Sequence, residues 1–376
     1  MKLSIPKLDH VPGLGPERGA TALDRTGPVP QLICVIETRP PYLLFLGDAT
    51  ERGFAKTAFG LNDWAHEKCV GEFALSQATV TVGLPVLRPA EAYANGARSI
   101  LIGVANQGGY VAQSWVPALV EALEAGLDIV SGMHCTLDSV PEIADAARRT
   151  GRALVDVRVP PVGLPVGTGR KRTGMRLLTV GTDCALGKKY AALSLARAFT
   201  QRGIDTDFRA TGQTGIMIAG SGIPMDAVVA DFSAGAAEVL SPDAPAEHWD
   251  VIEGQGSLYH PAYAGVSLAL LHGSQPDVVV ICHEPGRQTM LGLPEFATPT
   301  IEAVIDLTLH MGRRTNPAIR CAGVALNTSR LDADAAKHLL ESESDRLGLP
   351  TADPMRATYH FEALVESCLT AGGDID

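Results

Sequence analysis

The chain has 376 residues, of which 46% are hydrophobic and 19% are charged, and its formal net charge at pH 7 is −11. This length fits two domains with apolar cores, and the hydrophobic content excludes a largely disordered chain. An acidic chain without a basic run is also a poor candidate for binding nucleic acid or an anionic membrane.

The cysteines and the N-terminal sequence indicate the cellular compartment of the protein. Seven cysteines are scattered along the chain and none form a CxxC pair. Such a set favours reduced thiols in the cytoplasm over disulfides or a zinc site. The N-terminus lacks the apolar core of a signal peptide, and no apolar run is long enough to span a bilayer. We therefore expect a cytoplasmic protein.

The first half of the chain shows an alternation of strands and helices. Residues 1–30 are rich in proline, glycine and charge, which predicts a tail or arm with little regular structure. Over residues 31–158, strand, helix and strand follow at a spacing that predicts a parallel sheet with right-handed crossovers. The predicted strands are QLICVIE, PYLLFLGD, SILIGVA, LDIVSGM and ALVDV, and the predicted helices are VPALVEALEAG and PEIADAARRTG.

The second half repeats this alternation after a break. Residues 159–174 carry prolines, glycines and a basic cluster, which predicts an interdomain linker. Residues 175–376 then form the second predicted domain. Its predicted strands are RLLTV, DTDFRAT, DVIEG, DVVVICHE, CAGVALN and the short LPTAD, and its predicted helices include YAALSLARAFTQRG and DADAAKHLLESESDRLG.

The strongest chemical signal is the string GTDCALGKK between the first strand and first helix of the second domain. Gly181 and Gly187 allow a tight turn, the following helix presents its positive end, and Lys188 supplies a charge for phosphate. An ordinary glycine turn is the alternative, but it does not explain the lysine and the flanking elements. The predicted cofactor-binding residues are Gly181, Thr182, Asp183, Cys184, Ala185, Leu186, Gly187, Lys188 and Lys189.

This loop departs from the common GxxxxGK[ST] pattern. Five residues separate its glycines, as in the loop of dethiobiotin synthetase, which the second domain resembles. Lys189 stands where a serine or threonine would bind Mg²⁺. We therefore expect an anionic ligand that needs no metal, rather than ATP hydrolysis.

Polar residues also follow other strands of both domains, where ligands of parallel sheets bind. In the second domain they lie in RATGQTGIMI, EGQGSLYHPAY and CHEPGR, and in the first around PYLLFLGDATERGFAKTAFG and GVANQGGY. Simple structural roles are open for several: Glu253 and His260 as helix caps, and Arg287 in a surface ion pair. Together they predict a cleft between the domains.

The motifs taken together resemble one bacterial family with a Rossmann-like N-terminal domain and a P-loop C-terminal domain. The strings that carry the resemblance are GTDCALGKK, ATGQTGIMI, DFSAGAAE, EGQGSLYHPAYAGVSLALLHG and CHEPGR. In the first half, PYLLFLGD, AKTAFG, GVANQGG and ALEAGLDIVSG resemble its D-glutamate N-acetyltransferase subgroup. The resemblance implies an α/β fold, a Rossmann-like doubly wound domain followed by a P-loop NTPase-like parallel-sheet domain.

It also implies acetyl transfer from acetyl-CoA to the amino group of D-glutamate, with CoA phosphates on the loop and no metal required. The candidates for the general base are Glu253, His260 and His283. The candidate substrate-binding residues are Arg209, Thr211, Gln213, Thr214, Arg287, Lys56 and Asn106. Cys184 fits a small apolar filler better than an acyl-carrying nucleophile. A homo-oligomer, by default a homodimer, is expected.

Two other functions remain open from the sequence. One is an ATP-dependent carboxylate-activating synthetase or small-molecule kinase, against which Lys189 argues. The other is a non-catalytic sensor of nucleotides, which does not explain the polar strand ends in both domains.

Overall fold

The computed structural model describes residues 35–104, 106 and 108–370. Two parallel sheets dominate it. A short antiparallel pair joins β1 (Ile36–Glu37) to β9 (Ser221–Gly222), so the chain before the first sheet contacts the second half. The predicted tail at residues 1–30 lies outside the described residues.

The first sheet has five strands in the order β3-β2-β4-β5-β6, all parallel. Every residue of its β2 strand is buried, as expected for a parallel strand covered on both faces. The strands are β2 (Tyr42–Gly47), β3 (Cys69–Ala74), β4 (Ser99–Ile102), β5 (Asp128–Ser131) and β6 (Leu154–Asp156). The helices are α1 (Lys56–Trp64), α2 (Pro89–Ala94), α3 (Val116–Glu124) and α4 (Pro141–Thr150).

The second sheet has six parallel strands in the order β15-β14-β11-β7-β10-β8. Its strands are β7 (Met175–Gly181), β8 (Thr206–Arg209), β10 (Trp249–Ile252), β11 (Val278–His283), β14 (Arg320–Leu326) and β15 (Thr351–Ala352). Its helices are α5 (Lys188–Gln201), α6 (Gln213–Ala219), α7 (Ala230–Leu240), α8 (Ala264–Ser274), α9 (Ile301–Gly312), α10 (Ala333–Leu347) and α11 (Tyr359–Leu369). A hairpin of β12 (Thr289–Met290) and β13 (Leu293–Ala297) extends from β11.

The order of these strands places a crevice beside β7. The chain leaves β7 toward β10 and β8 on one side and later returns to β11 and β14 on the other. Ligands of open parallel sheets bind at such a switch point, beyond the carboxyl ends of the strands. The phosphate loop follows β7 directly and therefore lies at this crevice.

The two halves share apolar packing through α6. Ile216, Met217 and Ile218 are buried in the same hydrophobic cluster as the first sheet. Gly60 in α1 leaves room beside Thr214, whose methyl group would lie 3.5 Å from an added Cβ. The first half therefore contacts the segment that borders the crevice.

The expected α/β fold with two parallel sheets is confirmed. QLICVIE contributes only the short β1 within the described residues. The strand β3 and the helices α1, α2, α6 and α11 were not predicted. The boundaries of the linker at 159–174 stay predictions; at its end Arg172 is buried and donates to the carbonyls of Ser241 and Gly273. No helix among the described residues is long and apolar enough to cross a membrane.

Candidate active site

The phosphate loop turns sharply between β7 and α5. Gly187 caps α5 with a φ of 111°, a left-handed conformation that favours glycine, and Ala185 adopts a φ of 53°. These turns leave the first N–H groups of a 14-residue helix facing the crevice. The geometry suits an anion at this end of α5.

Lys188 is held inside the loop. Its side chain is buried, and Nζ donates to the carbonyl oxygen of Asp183 at 2.7 Å. Burial lowers the pKa of Lys188, and nearby Cys282, Cys184 and Asp183 oppose this shift. Because this hydrogen bond goes to a loop carbonyl and not to a carboxylate, the charge of Lys188 is poorly matched. A phosphate on the loop would supply the missing negative charge.

Asp183 fixes the loop and is fully buried. Its carboxylate accepts from the backbone N–H of Cys184 at 2.6 Å, from the backbone N–H of Leu291 at 2.8 Å and from Nη1 of Arg287 at 2.8 Å. Burial raises the pKa of the Asp183 carboxyl, but these donors outweigh it, and the net pKa is lowered. Arg287 also pairs with Glu284. The Arg287 guanidinium is therefore already paired with protein carboxylates, and it does not line the cleft described below.

Two predicted bases, His260 and His283, lie behind the loop. His260 is 2% exposed, and its Nδ1 accepts from the backbone N–H of Ala262 at 3.1 Å. The neutral ring therefore carries its hydrogen on Nε2, which lies 3.9 Å from Asp183 Oδ1 and has no hydrogen-bond partner among the described residues. His283 Nδ1 lies 2.9 Å from Thr182 Oγ1, and burial lowers its pKa.

Asp183, Cys184 and His260 have ligand atoms close enough to hold a metal ion. The tautomer of His260 does not suit this, because a metal needs the nitrogen that here carries the hydrogen. The Asp183 carboxylate is also already neutralised by Arg287. These three residues therefore do not make a good metal site.

Glu253, the third predicted base, follows β10 and faces the crevice. It is 4% exposed, and Oε2 accepts from the backbone N–H groups of Thr211 at 3.0 Å and Gly212 at 3.1 Å. No described residue donates to Oε1. Burial raises the pKa of Glu253, while the hydrogen bond from Thr211 and the charge of Lys189 oppose the shift. Glu253 is thus a fixed carboxylate with one free oxygen.

We name the space in front of Glu253 the phosphate cleft, with a volume of about 500 Å³. It brings together residues from both halves. Three lysines face one glutamate in it, which makes the cleft attractive to anions within an acidic protein. The lining residues are Lys56, Cys184, Ala185, Leu186, Gly187, Lys188, Lys189, Tyr190, Gly212, Gln213, Thr214, Glu253, Gly254, Gln255 and Gly256.

A second space, the base cleft, adjoins it with a volume of about 240 Å³. The two clefts share Leu186, Gly187 and Tyr190. Most of its lining is apolar, with a few polar groups at the strand ends, which is typical of a small-molecule site. The other lining residues are Ala191, Cys282, Ala325, Leu326, Asn327, Ser329, Asp353, Pro354 and Met355.

Besides Arg287, three predicted substrate ligands do not line either cleft. Arg209 pairs with Asp207 and Asp250. Thr211 is buried, and its hydroxyl donates to the carbonyl of Glu253 at 2.7 Å. Asn106 closes its own loop through two hydrogen bonds with the backbone of Tyr110. We leave these three residues out of the site proposed below, whereas Lys56, Gln213 and Thr214 remain in it.

Sequence reasoning missed several lining residues. Tyr190 directly follows the loop, so its position was a usable signal. Gln255 lies within the EGQG segment, and its Nε2 donates to Thr211 Oγ1 at 3.0 Å. Asp353 and Met355 follow β15, the last strand in the chain, and no local motif marks them.

Comparisons with known proteins agree with this architecture. Residues 165–365 match the family model described as "Domain of unknown function (DUF1611_C) P-loop domain", and residues 67–160 match "Domain of unknown function (DUF1611_N) Rossmann-like domain". A crystal structure of a DUF1611 family protein from Anabaena variabilis ATCC 29413 superposes with a TM-score of 0.76 at 31% identity, covering 88% of this chain and 99% of that one.

Two curated relatives are also similar to the chain. A D-glutamate N-acetyltransferase from Tritonibacter scottomollicae is 48% identical over 322 residues, covering 86% of this chain and 96% of the relative. A protein of the same name from a Pseudoalteromonas species is 48% identical over 321 residues, covering 85% of this chain and 97% of the relative. The family resemblance inferred from the motifs is confirmed, and the chain belongs to the DUF1611 family, with a Rossmann-like part followed by a P-loop part.

Proposed function

We propose that this protein is an N-acetyltransferase that moves the acetyl group of acetyl-CoA to the amino group of D-glutamate. The names of the two relatives at 48% identity support this reaction and substrate. The main structural support is that the two clefts meet at Tyr190. A ligand that spans them could contact both the phosphate loop and the free oxygen of the buried Glu253 carboxylate.

The residues present fit coenzyme A. The base cleft would hold the adenine between Asn327 and Met355, and the loop N–H groups with Lys188 would hold the diphosphate. Lys189 occupies the position of the hydroxyl residue that binds Mg²⁺ in ATP-hydrolysing loops. Its presence is compatible with coenzyme A, because acetyl transfer does not cleave a metal-bound phosphate. When bound, acetyl-CoA supplies a thioester carbonyl in the phosphate cleft.

Glu253 would act as the general base. Its free Oε1 takes a proton from the substrate ammonium, and the amine then forms a bond to the thioester carbon. The adduct loses a second proton from nitrogen as the carbon–sulfur bond breaks. One of the two protons goes to the CoA sulfur through Glu253, the other leaves to solvent, and N-acetyl-D-glutamate remains. Lys56 and Lys189 carry the positive charge for the two substrate carboxylates, and Gln213 and Thr214 offer hydrogen bonds beside them. Burial raises the pKa of the Cys184 thiol, which disfavours an acyl-cysteine route.

Release of free thiol from acetyl-CoA tests this proposal. We expect release that requires D-glutamate and proceeds without added metal, with L-glutamate as a parallel substrate. ATP with Mg²⁺ forms a third arm. Consumption of ATP with a carboxylate substrate, and no thiol release, would move the synthetase or kinase function to first place.

The acid limb of the pH profile should report Glu253. Burial raises its pKa above the ordinary value of 4.5, and only the ionised form can act as the base. We therefore expect kcat/KM for acetyl-CoA to fall with decreasing pH at a pKa above 4.5. Steady-state rates between pH 4.5 and 9 measure this. A flat profile over that range would contradict a base at Glu253.

Removing the Lys188 ammonium should weaken CoA binding. Loss of a charge-assisted hydrogen bond to phosphate corresponds to a KM for acetyl-CoA raised roughly ten- to hundredfold in Lys188→Ala. The exposed Lys337 on α10 provides the control, and Lys337→Ala should keep the normal KM. An unchanged KM in Lys188→Ala would mean that the CoA phosphates bind elsewhere.

A further inference from the structure

The α5 helix carries a polar stripe that begins at the phosphate loop. Tyr190, Ser194, Arg197 and Gln201 follow one another at intervals of three or four residues, so they lie on one face of the helix. Tyr190 lines both clefts, and the other three line a third space of about 280 Å³, the Arg197 cavity. This cavity shares Pro354 and Met355 with the base cleft. It therefore adjoins the base cleft.

Arg197 is held in place by an aromatic side chain from the other half. Its guanidinium carbon lies 4.4 Å from the ring centroid of Trp64, and Trp64 stacks on Tyr190 with centroids 6.0 Å apart. Stacking fixes the plane of the guanidinium and leaves its N–H edge free for an anion. Asp63 lines the same cavity, but neither it nor any other described carboxylate forms an ion pair with Arg197. The charge of Arg197 is thus unmatched within the described chain.

We propose that Arg197 binds the 3′-phosphate on the adenosine of coenzyme A. This inference rests on the proposed function, which makes coenzyme A the ligand. The ribose connects the adenine in the base cleft to the diphosphate on the loop, so its 3′-phosphate must lie near the border of these clefts. Tyr190 and Arg197 are about 10 Å apart along the helix axis. Because helix side chains lean toward the N-terminus, Arg197 reaches back toward that border. Ser194 adds a hydroxyl group on the way.

This subsite would distinguish CoA from ligands that lack the 3′-phosphate. Since Arg197 is exposed and Asp63 opposes a phosphate, we expect a moderate preference of roughly tenfold in Kd. The preference should depend on Trp64, which sets the orientation of the guanidinium. Arg197 lines neither the base cleft nor the phosphate cleft, so the adenine and diphosphate contacts do not depend on its guanidinium.

Titration calorimetry with CoA and with 3′-dephospho-CoA tests the subsite. The intact protein should bind CoA roughly tenfold more tightly, Arg197→Gln should bind both ligands alike, and Trp64→Phe should lose part of the preference. Arg148→Gln changes an exposed arginine on α4 and should keep the preference. Equal binding by the intact protein, or a preference that survives in Arg197→Gln, would overturn the subsite while acetyl transfer continues. Failure of the intact protein to bind either ligand would overturn the proposed function as well.

Discussion

Replacement of Glu253 by glutamine should lower kcat by about a hundredfold to ten-thousandfold, the range of a positioned general base. The amide oxygen can still accept from the N–H groups of Thr211 and Gly212, so the loop should keep its shape. The amide nitrogen, however, cannot take a proton from the substrate. The KM for acetyl-CoA should change little, because the phosphate contacts remain. Steady-state thiol release with D-glutamate measures both constants.

Folding stability separates this effect from damage to the structure. The pKa of Glu253 is raised in the folded state, so its contribution to stability is present at low pH and is lost as pH rises through the folded pKa. At pH 7 the glutamine variant should therefore be as stable as the native protein, or more stable.

Glu72 offers a matched control for the Glu253 variant. It is also buried, and its carboxylate accepts from the backbone N–H groups of Val82 and Leu84. Glu72→Gln should keep kcat. Equal losses of kcat in the two variants would contradict a catalytic role for Glu253.

Replacement of Gly254 by alanine should destabilise the fold more than the addition of a methyl group at any other glycine of the site. An added Cβ would lie 1.6 Å from the carbonyl oxygen of Thr179 and 3.2 Å from the Lys188 side chain. The Gly254 N–H donates to Thr179 Oγ1 at 3.0 Å, so the two segments are tied at this close approach. Thr179 cannot retreat easily, because its strand β7 is paired on both sides. We expect a loss of about 3 kcal/mol or more in the free energy of unfolding.

Activity should fall with stability in this variant. Separation of β7 from the end of β10 would move Glu253 relative to Lys188, and a misplacement of about 1 Å can cost a hundredfold in rate. Gly265 in α8 is the control, since a Cβ there meets no atom within 4 Å. Gly265→Ala should raise stability by about 0.5–1 kcal/mol, as expected within a helix. Urea unfolding curves of both variants measure the difference, and similar curves would contradict the packing argument.

The sequence could predict the parts of the site that are contiguous in the chain. The phosphate loop and Glu253 each follow an apolar strand, and parallel strands bring such ends to one edge of a sheet. Lys56 was also predicted, because it lies in the segment that follows the predicted strand PYLLFLGD. These signals are local, and the fold brings them together in one cleft.

The remaining site depends on which way side chains point and on contacts distant in sequence. Arg209 ends its strand as predicted, but its guanidinium pairs with carboxylates on β8 and β10. His260 looked like a free base, yet the N–H of Ala262 fixes its tautomer inside the protein. The stacking of Trp64 on Tyr190 joins residues 126 positions apart, which no motif reports.

A crystal structure with CoA and N-acetyl-D-glutamate bound would test the central claim most directly. We expect the diphosphate against the loop from Gly181 to Lys189, the adenine in the base cleft, and the acetylated nitrogen next to Oε1 of Glu253. Coenzyme A bound away from this loop, or a product nitrogen remote from Glu253, would contradict it.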